Sequence, residues 1–351
     1  MKAAIFEGKG KIEVREVADP AIQKPDDAIV RITHTCICGS DLWYYRGLTP
    51  FPEDGRIGHE PMGVVEAIGS EVTSAKVGDV VVMPFFIQDG TCPECRAGMP
   101  AACRNRMGWG GDKNDGGQGE KVRVPLANGT LFPVPNGASL GEHMLTALLP
   151  LTDVLCTGHH AAVCAEVGNG STVAIVGDGA VGLCAVAASK RLGASRIFLV
   201  STHEDRAALG KKFGATDIVA ARGDDAVRAI KEATDGLGVD GALECVGTAE
   251  SWETAFGAVR AGGNIGAVGV PHGVAPIPVE KFFWKNIGVK GGPAPAAHYI
   301  PELMPDILSG KLDVSAIFTK TVPLADIAEG YRAMDERKEI KVLVKPWVVI
   351  E

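Results

Sequence analysis

Three short islands of the sequence carry side chains that could bind one metal ion. They contain Cys38, the adjacent pair His59 and Glu60, and Asp153. A soft thiolate, an imidazole and a carboxylate together suit Zn²⁺ better than Mg²⁺, which prefers oxygen. A zinc ion held by about three protein ligands keeps an open position, where it acts as a Lewis acid and lowers the pKa of a bound alcohol. Taken singly, the cysteine could be a small buried apolar residue, the histidine a turn residue and the aspartate a helix cap.

A dinucleotide-binding pattern begins soon after Asp153. The apolar run Thr172–Val176 precedes a glycine-rich turn, and a helical pattern follows the turn. Glycines allow a tight turn and bring a pyrophosphate close to the N-terminus of the helix, where free N–H groups favour phosphate. We therefore predict that the cofactor binds at Gly177, Gly179, Ala180, Val181 and Gly182.

The end of the next predicted strand bears on the choice between NAD and NADP. Arg196–Val200 is followed by Ser201, Thr202 and His203, at the place where an acidic residue would bind the ribose hydroxyls of NAD. A neutral end leaves room for a 2′-phosphate, which His203 or Arg206 could hydrogen-bond. We therefore favour NADP over NAD. The two acidic residues between His203 and Arg206 weaken this preference, unless they are N-terminal acids of the next helix.

Composition and length set the broad class of the protein. A chain of 351 residues exceeds the usual size of one core, which predicts about two domains. A net charge of −8 without a basic stripe argues against a nucleic-acid partner. The N-terminus has no apolar export region, and no run approaches the ~18 apolar residues that cross a bilayer. We therefore expect a cytoplasmic protein without a membrane partner.

The pattern of predicted elements changes near residue 154. Residues 1–150 contain short strands separated by Gly, Pro and Asp turns, whereas strands and helices alternate from about residue 154. Alternation of this kind predicts a parallel sheet with helices on both faces. The tail from about residue 294 has no second glycine turn, so we expect it to rejoin the first domain. The predicted fold class is α/β.

The metal-binding islands resemble those of a known family. Cys38-Gly-Ser-Asp, followed about twenty residues later by Gly58-His-Glu-x2-Gly-x5-Gly, is similar to the zinc-dependent medium-chain alcohol dehydrogenases. The resemblance covers essentially the whole chain. It implies a GroES-like, β-rich catalytic domain over residues 1–153 and 294–351, and a Rossmann domain over residues 154–293. It further implies a homodimer or homotetramer, in which Val279–Val289 forms an edge strand that pairs between subunits.

The resemblance assigns the catalytic zinc to particular residues. Cys38, His59 and Asp153 would hold it, with Glu60 close enough to bind transiently. Cys156 is an alternative third ligand, although its register fits the family poorly.

A second zinc site is implied by the cysteine spacing. The chain has nine cysteines, and Cys92, Cys95 and Cys103 cluster in a chain without an export signal, which favours metal binding over disulfides. Family members with a structural zinc have the spacing C-x2-C-x2-C-x7-C, and Asp89 stands here in the first position. The resemblance therefore implies a closed site of one carboxylate and three thiolates. The alternative is a vestigial loop with free thiols.

The resemblance also implies a proton relay and further cofactor contacts. Ser40 would be the first relay group, and Trp43 stands where many relatives have a relay histidine, so we expect the proton to continue through a ribose hydroxyl to water. Other residues would line the adenine and nicotinamide sides or reach the pyrophosphate: Val246, Gly247, Val268, Gly269, Val270 and, for the pyrophosphate, Lys341.

These observations predict a zinc-dependent, NAD(P)-linked alcohol dehydrogenase that interconverts a small alcohol with an aldehyde or ketone, in a cleft between the two domains. Three alternatives remain at this point. They are a polyol dehydrogenase, a zinc-free quinone or enone reductase, and a catalytically silent protein that binds zinc and a dinucleotide.

Overall fold

The computed structural model describes residues 1–111, 113–273 and 278–347. It divides into two compact units, Met1–Asp153 together with the segment from Pro295 onward, and Val154–Ala294. Ala294, which we expected in the catalytic domain, therefore lies in the second unit. The predicted domains also include residues 112, 274–277 and 348–351, which lie outside the described residues.

Short strands dominate the chain up to Asp153. The strands are β1 (Lys2–Phe6), β2 (Ile12–Glu16), β3 (Ala28–Cys36), β4 (Gly55–Arg56), β5 (Met62–Ile68), β6 (Val80–Val82), β7 (Phe86–Ile87), β8 (Met107–Gly108), β9 (Lys121–Val124) and β10 (Phe132–Pro133). The helices are α1 (Asp41–Tyr45), α2 (Pro93–Arg96), α3 (Ala127–Thr130) and α4 (Glu142–Leu148).

Helices and strands alternate in the second unit. In chain order they are α5 (Val154–Cys164), β11 (Thr172–Val176), α6 (Ala180–Arg191), β12 (Arg196–Val200), α7 (Glu204–Phe213), β13 (Asp217–Val219), α8 (Gly223–Glu232), β14 (Val239–Glu244), α9 (Ala249–Ala258), β15 (Val259–Ala267), α10 (Val279–Lys285) and β16 (Gly288–Gly291). The remaining elements belong to the first unit and are α11 (Ala296–Leu308), β17 (Phe318–Pro323), α12 (Ile327–Asp335) and β18 (Lys341–Lys345).

The sheets of the first unit join the two ends of the chain. One sheet has the order β2-β1-β4, and a larger one has the order β10-β6-β5-β3-β18-β17 with β9 also paired to β3. Strands β18 and β3 are antiparallel, with Leu343 opposite Cys36. The strand that precedes the first metal-binding island is therefore held by a strand from the C-terminal tail.

The sheet of the second unit has the strand order β13-β12-β11-β14-β15-β16, and all of its pairs are parallel. This is the doubly wound order of dinucleotide-binding folds. Strand β11 is a continuous apolar run that is buried after its first residue, as expected where helices cover both faces of a sheet. The fold is therefore α/β, as predicted.

The expected edge strand is shorter than predicted. Val279–Lys285 forms helix α10, which ends at Asn286 in the left-handed conformation, with a φ of 51°. The edge strand β16 begins only at Gly288. No helix in the described residues is long and apolar enough to cross a membrane.

Candidate zinc and dinucleotide sites

Four of the predicted metal ligands lie together in the first unit. Ligand atoms of Cys38, His59, Glu60 and Asp153 all lie within 4.8 Å of one another. Sγ of Cys38 is 3.4 Å from Oδ2 of Asp153, and Nε2 of His59 is 3.5 Å from the same oxygen. The group does not include Cys156, the alternative ligand, which is fully buried in α5.

Local backbone structure places these side chains. Cys38 follows the end of β3, and Asp153 ends a 3₁₀ turn over Leu149–Thr152 directly before α5. Gly58, which precedes His59, has a φ of 96°, and a Cβ there would lie 2.4 Å from Cγ of Gln118. Only glycine fits this turn, which explains its place in the Gly-His-Glu pattern.

The donor set fits a divalent cation. Cys38 and Glu60 are buried, and Asp153 is only 8% exposed. Burial raises the pKa of the Cys38 thiol to about 11, and the carboxylates of Asp153 and Glu60 add to this effect. A metal ion bound beside this thiol would add positive charge next to the sulfur and favour the thiolate over the thiol. One sulfur, one imidazole nitrogen and carboxylate oxygens are ligands that zinc accepts.

A buried polar network lies behind His59. Asp41 accepts hydrogen bonds at Oδ2 from the Cys38 backbone N–H (3.0 Å) and from Nε2 of Gln118 (3.1 Å), and its Oδ1 lies 3.2 Å from Nδ1 of His59. The hydroxyl of Tyr331 donates to Oε1 of Gln118 (2.8 Å). A carboxylate on the second ring nitrogen fixes the orientation of a metal-binding histidine and leaves Nε2 for the metal. The sequence analysis missed Gln118 and Tyr331, and no spacing pattern in the chain points to them.

Lys341 does not lie where the sequence analysis placed it. Its side chain belongs to the first unit, is about 1% exposed, and donates to Oε1 of Glu60 (2.7 Å) and to the Ile37 carbonyl (3.2 Å). The thiol of Cys36 donates to the other carboxylate oxygen of Glu60 (3.0 Å). The assignment of Lys341 to the pyrophosphate is therefore wrong, because its ammonium group is already bound to a buried carboxylate.

The predicted relay residue stands at the start of a short helix. Ser40 is half-buried at the N-terminal boundary of α1, and its side chain makes no capping hydrogen bond. Trp43 lies in the same helix, and the guanidinium of Arg46 lies 5.8 Å from the centroid of its ring. The hydroxyl of Ser40 therefore does not cap this helix.

The second predicted metal group also comes together. Ligand atoms of Asp89, Cys92, Cys95 and Cys103 lie within 4.8 Å of one another. Asp89 accepts hydrogen bonds from the backbone N–H groups of Thr91 (2.7 Å) and Cys92 (2.9 Å). Although burial opposes it, donation from these backbone groups holds the pKa of Asp89 well below its ordinary value. The carboxylate is therefore charged and fixed beside the three thiols.

The glycine turn of the second unit has the geometry of a phosphate cradle. Gly177 directly follows β11 and has a φ of 118°, and Gly179 is the N-cap of α6, which begins with Ala180 and Val181. A Cβ on Gly182 would lie 1.9 Å from the Gly177 carbonyl oxygen, whereas one on Gly179 would meet nothing within 4 Å. The turn thus leaves open space at the helix N-terminus, where a pyrophosphate fits.

The residues after β12 gather around one carboxylate that the sequence analysis did not assign. Asp178, the second residue of the glycine turn, accepts from Oγ of Ser201 (2.7 Å) and Nη1 of Arg206 (3.3 Å), and lies 2.8 Å from Nδ1 of His203. Despite opposing burial, these contacts lower the pKa of Asp178. The side chain of Thr202 does not join this group and contacts Arg222 instead.

Two further predicted loops follow β14 and β15. Val246 and Gly247 donate backbone hydrogen bonds to Oε1 of Glu244 (2.8 and 2.7 Å), and Val268 and Gly269 donate to its backbone carbonyl (2.9 and 3.1 Å). Glu244 is fully buried, and its hydrogen bonds to both loops hold them together. The side chains of Val246 and Val270 are 40% and 50% exposed, so they remain available to a ligand.

Comparison with known proteins agrees with this arrangement. Residues 24–136 match the family model of the alcohol dehydrogenase GroES-like domain, and residues 180–309 match that of the zinc-binding dehydrogenases. The probable zinc-binding alcohol dehydrogenase Rv1895 of Mycobacterium tuberculosis is 36% identical over 99% of this chain and 89% of its own length. An alcohol dehydrogenase of Cupriavidus necator is 31% identical over 99% of both chains. The chain belongs to the zinc-dependent medium-chain dehydrogenase/reductase family.

Solved structures of the family support the same conclusion. Alcohol dehydrogenase TADH from Thermus sp. ATN1 is 33% identical, with a TM-score of 0.90 over 98% of this chain and 99% of that one. A zinc-binding dehydrogenase from Sinorhizobium meliloti 1021 bound to NADP is 28% identical, with a TM-score of 0.84 over 98% and 99% of the two chains. The family resemblance inferred from the sequence is confirmed, and the chain is an oxidoreductase of the alcohol dehydrogenase type.

Proposed function

We propose that this family member catalyses the reversible oxidation of a small alcohol to an aldehyde or ketone, with NADP favoured over NAD. The observation that carries the proposal is the convergence of one thiol, one imidazole and two carboxylates in the group of Cys38, His59, Glu60 and Asp153, which is buried except for the partly exposed His59. A zinc-free quinone or enone reductase has no use for such a group.

The chain's own residues have distinct roles in this proposal. Cys38, His59 and Asp153 hold the catalytic zinc, and Glu60 is close enough to join them. When bound, zinc lowers the pKa of an alcohol and the nicotinamide accepts a hydride. Asp41 orients the imidazole of His59. The hydroxyl of Ser40 would accept the proton of the alcohol; with the cofactor bound, a ribose hydroxyl could lead that proton on to water, since Trp43 cannot carry a proton.

A structural zinc in the second metal group is part of the same proposal. Asp89 would replace the usual first cysteine, with Cys92, Cys95 and Cys103 as the thiolate ligands. The N–H groups that fix Asp89 make it a preformed ligand, which supports a closed tetrahedral site.

The proposed cofactor preference has two supports. Ser201 stands where an acid would bind both ribose hydroxyls of NAD, and one structural relative is bound to NADP. We propose that Gly177, Gly179, Ala180, Val181 and Gly182 bind the pyrophosphate, and that the loops at Val246, Gly247 and Val268–Val270 line the adenine and nicotinamide sides.

The family's self-association is proposed for this chain as well. Strand β16 lies at the edge of its sheet, and the preceding helix exposes Val279, Phe283 and Trp284 to 64%, 64% and 74%. An apolar patch beside an open sheet edge is typical of an interface, which supports a homodimer or homotetramer.

The test is a panel of primary alcohols, secondary alcohols and polyols, each assayed with NADP and NAD, before and after zinc removal by a chelator. We expect alcohol-dependent cofactor reduction that is lost with zinc and restored by it, with kcat/KM at least about tenfold higher for NADP. Cys38→Ser and Asp153→Asn should lower kcat/KM by at least about a hundredfold, since each removes a zinc ligand.

Cys156→Ser is the matched control, and it should retain activity because Cys156 lies outside the group. Loss of activity in this variant would make Cys156 the third ligand. Activity confined to polyols would assign a polyol dehydrogenase, and no activity across the panel would favour a silent binding protein. A higher kcat/KM with NAD would refute the cofactor preference alone.

A further inference from the structure

A second arginine stands beside the predicted 2′-phosphate position. Arg222 follows β13 and directly precedes α8, and its Nη2 donates to Oγ1 of Thr202 (3.0 Å). The contact is possible because β12 and β13 are parallel neighbours, with Val200 opposite Val219, so that the loops after them leave the sheet at the same edge. Sequence spacing alone does not reveal this contact, because Arg222 lies 20 residues after Thr202.

The side chains that the sequence analysis assigned to the 2′-phosphate are already engaged. Arg206 has a side chain only 12% exposed, and it contacts Asp178, as does His203. Asp178 carries a negative charge at neutral pH. A phosphate placed next to these three residues would therefore meet the carboxylate of Asp178 as well as the guanidinium of Arg206, and like charges at that distance repel.

Arg222, in contrast to Arg206, is exposed and has no carboxylate partner among the described residues. Among the described residues it makes no ion pair, and both its side chain and that of Thr202 are exposed. Its hydrogen bond to a hydroxyl holds the guanidinium near the end of β12 without neutralising it. A planar guanidinium can bind two phosphate oxygens at once, and a threonine hydroxyl beside it can donate a further hydrogen bond.

We propose that Arg222, together with Thr202, is the principal recognition group for the 2′-phosphate of NADP, an inference that rests on the cofactor preference proposed above. Arg206 and His203 are positioning residues in this arrangement. They hold Asp178 and so fasten the glycine turn to the end of β12.

The test measures binding, so it does not depend on an alcohol substrate. Adenosine 2′,5′-bisphosphate and 5′-AMP are titrated into the full-length protein by calorimetry, and NADPH and NADH by nicotinamide fluorescence. In Arg222→Gln, the Kd for the bisphosphate and for NADPH should rise at least about tenfold, while the Kd for 5′-AMP and NADH should change less than about twofold. Arg206→Gln should weaken NADPH and NADH alike.

Arg228→Gln is the matched control, because Arg228 lies on α8, the helix that follows Arg222, and pairs at the surface with Asp225. It should leave all four Kd values unchanged. An Arg222→Gln protein with wild-type NADPH affinity would overturn the role of Arg222 while leaving the NADP preference intact. A wild-type protein that binds 5′-AMP and NADH more tightly than their 2′-phosphorylated counterparts would overturn both, and an equal loss of NADPH and NADH affinity in Arg222→Gln would show a structural role only.

Discussion

Among single residues, the buried pair of Glu60 and Lys341 matters most for the stability of the first unit. Both side chains are at most about 1% exposed, and the carboxylate also accepts from Cys36. When one partner of a buried pair is removed, the desolvation free energy of the remaining charge is no longer offset by attraction to an opposite charge. Lys341 therefore compensates Glu60 in the position from which Glu60 can approach the zinc site.

Replacing Lys341 with methionine should destabilise the protein. The change keeps the length of the side chain but leaves Glu60 as an uncompensated buried charge, so we expect the free energy of unfolding to fall by about 3–5 kcal/mol. Urea denaturation monitored by circular dichroism measures the change in the transition of the first unit. Lys341→Arg should recover part of the loss.

The matched control is Lys345→Met on the same strand. Lys345 pairs with Glu142, whose side chain is 58% exposed, so its loss should cost less than about 1 kcal/mol. If both methionine variants lost the same free energy of unfolding, the buried Glu60–Lys341 pair would contribute no more to stability than the exposed pair.

The structure brings predicted side chains together where a motif fixed their spacing. Gly58, His59 and Glu60 are adjacent in sequence, so the turn that orients them is local. The resemblance misplaced Lys341. The sequence of β18 could not correct this, because the strand is buried at four successive residues and lacks the alternation that distinguishes inside from outside.

The glycine turn between β11 and α6 is the element on which the proposed cofactor binding depends. In this turn the first residues of α6 pack directly against the end of β11. Gly182 allows this packing because it has no Cβ, which would otherwise collide with the Gly177 carbonyl oxygen. Any side chain at position 182 would push the helix N-terminus away from the place where the phosphate binds.

Gly182→Ala should therefore impair dinucleotide binding. A Cβ 1.9 Å from a backbone oxygen cannot be accommodated without moving the turn, so we expect the Kd for NADPH to rise at least about tenfold and the melting temperature to fall. Fluorescence titration and differential scanning fluorimetry measure these effects. Gly168→Ala, in the loop before β11 where a Cβ meets nothing within 4 Å, should change neither. Wild-type affinity in Gly182→Ala would contradict this account of the turn.

The elements of the second unit were largely predictable, and the loops between them were not. A β-run, a glycine turn and a helix follow one another in sequence, so local pattern was sufficient for β11 and α6. The contacts of Asp178 and Arg222 cross from one loop to the next. Such contacts depend on strand order, which the local sequence does not specify.

The number of zinc ions per chain is a measurement on the whole molecule. The chain has two separate metal groups, which lie in different loops of the first unit. We expect about two zinc ions per chain from inductively coupled plasma mass spectrometry, on the basis of two separate four-residue groups. Cys95→Ser should remove one of them and lower the melting temperature, since structural zinc contributes folding free energy.

Cys164→Ser is the control for this measurement, because Cys164 is a buried cysteine outside both groups, and it should retain both ions. A wild-type protein with one zinc ion would show that the loop at Asp89 carries free thiols only.

The catalytic unit is assembled from both ends of the chain, and this has a consequence for how the protein is made. Strand β18 pairs with β3 just before Cys38, yet about 300 residues separate the two strands. While the ribosome is still translating the tail, the inserted nucleotide-binding unit can already fold, since domains usually fold as units during synthesis. The first unit must wait for its last strand, so we expect a metal ion to bind at Cys38 only late in the maturation of this protein.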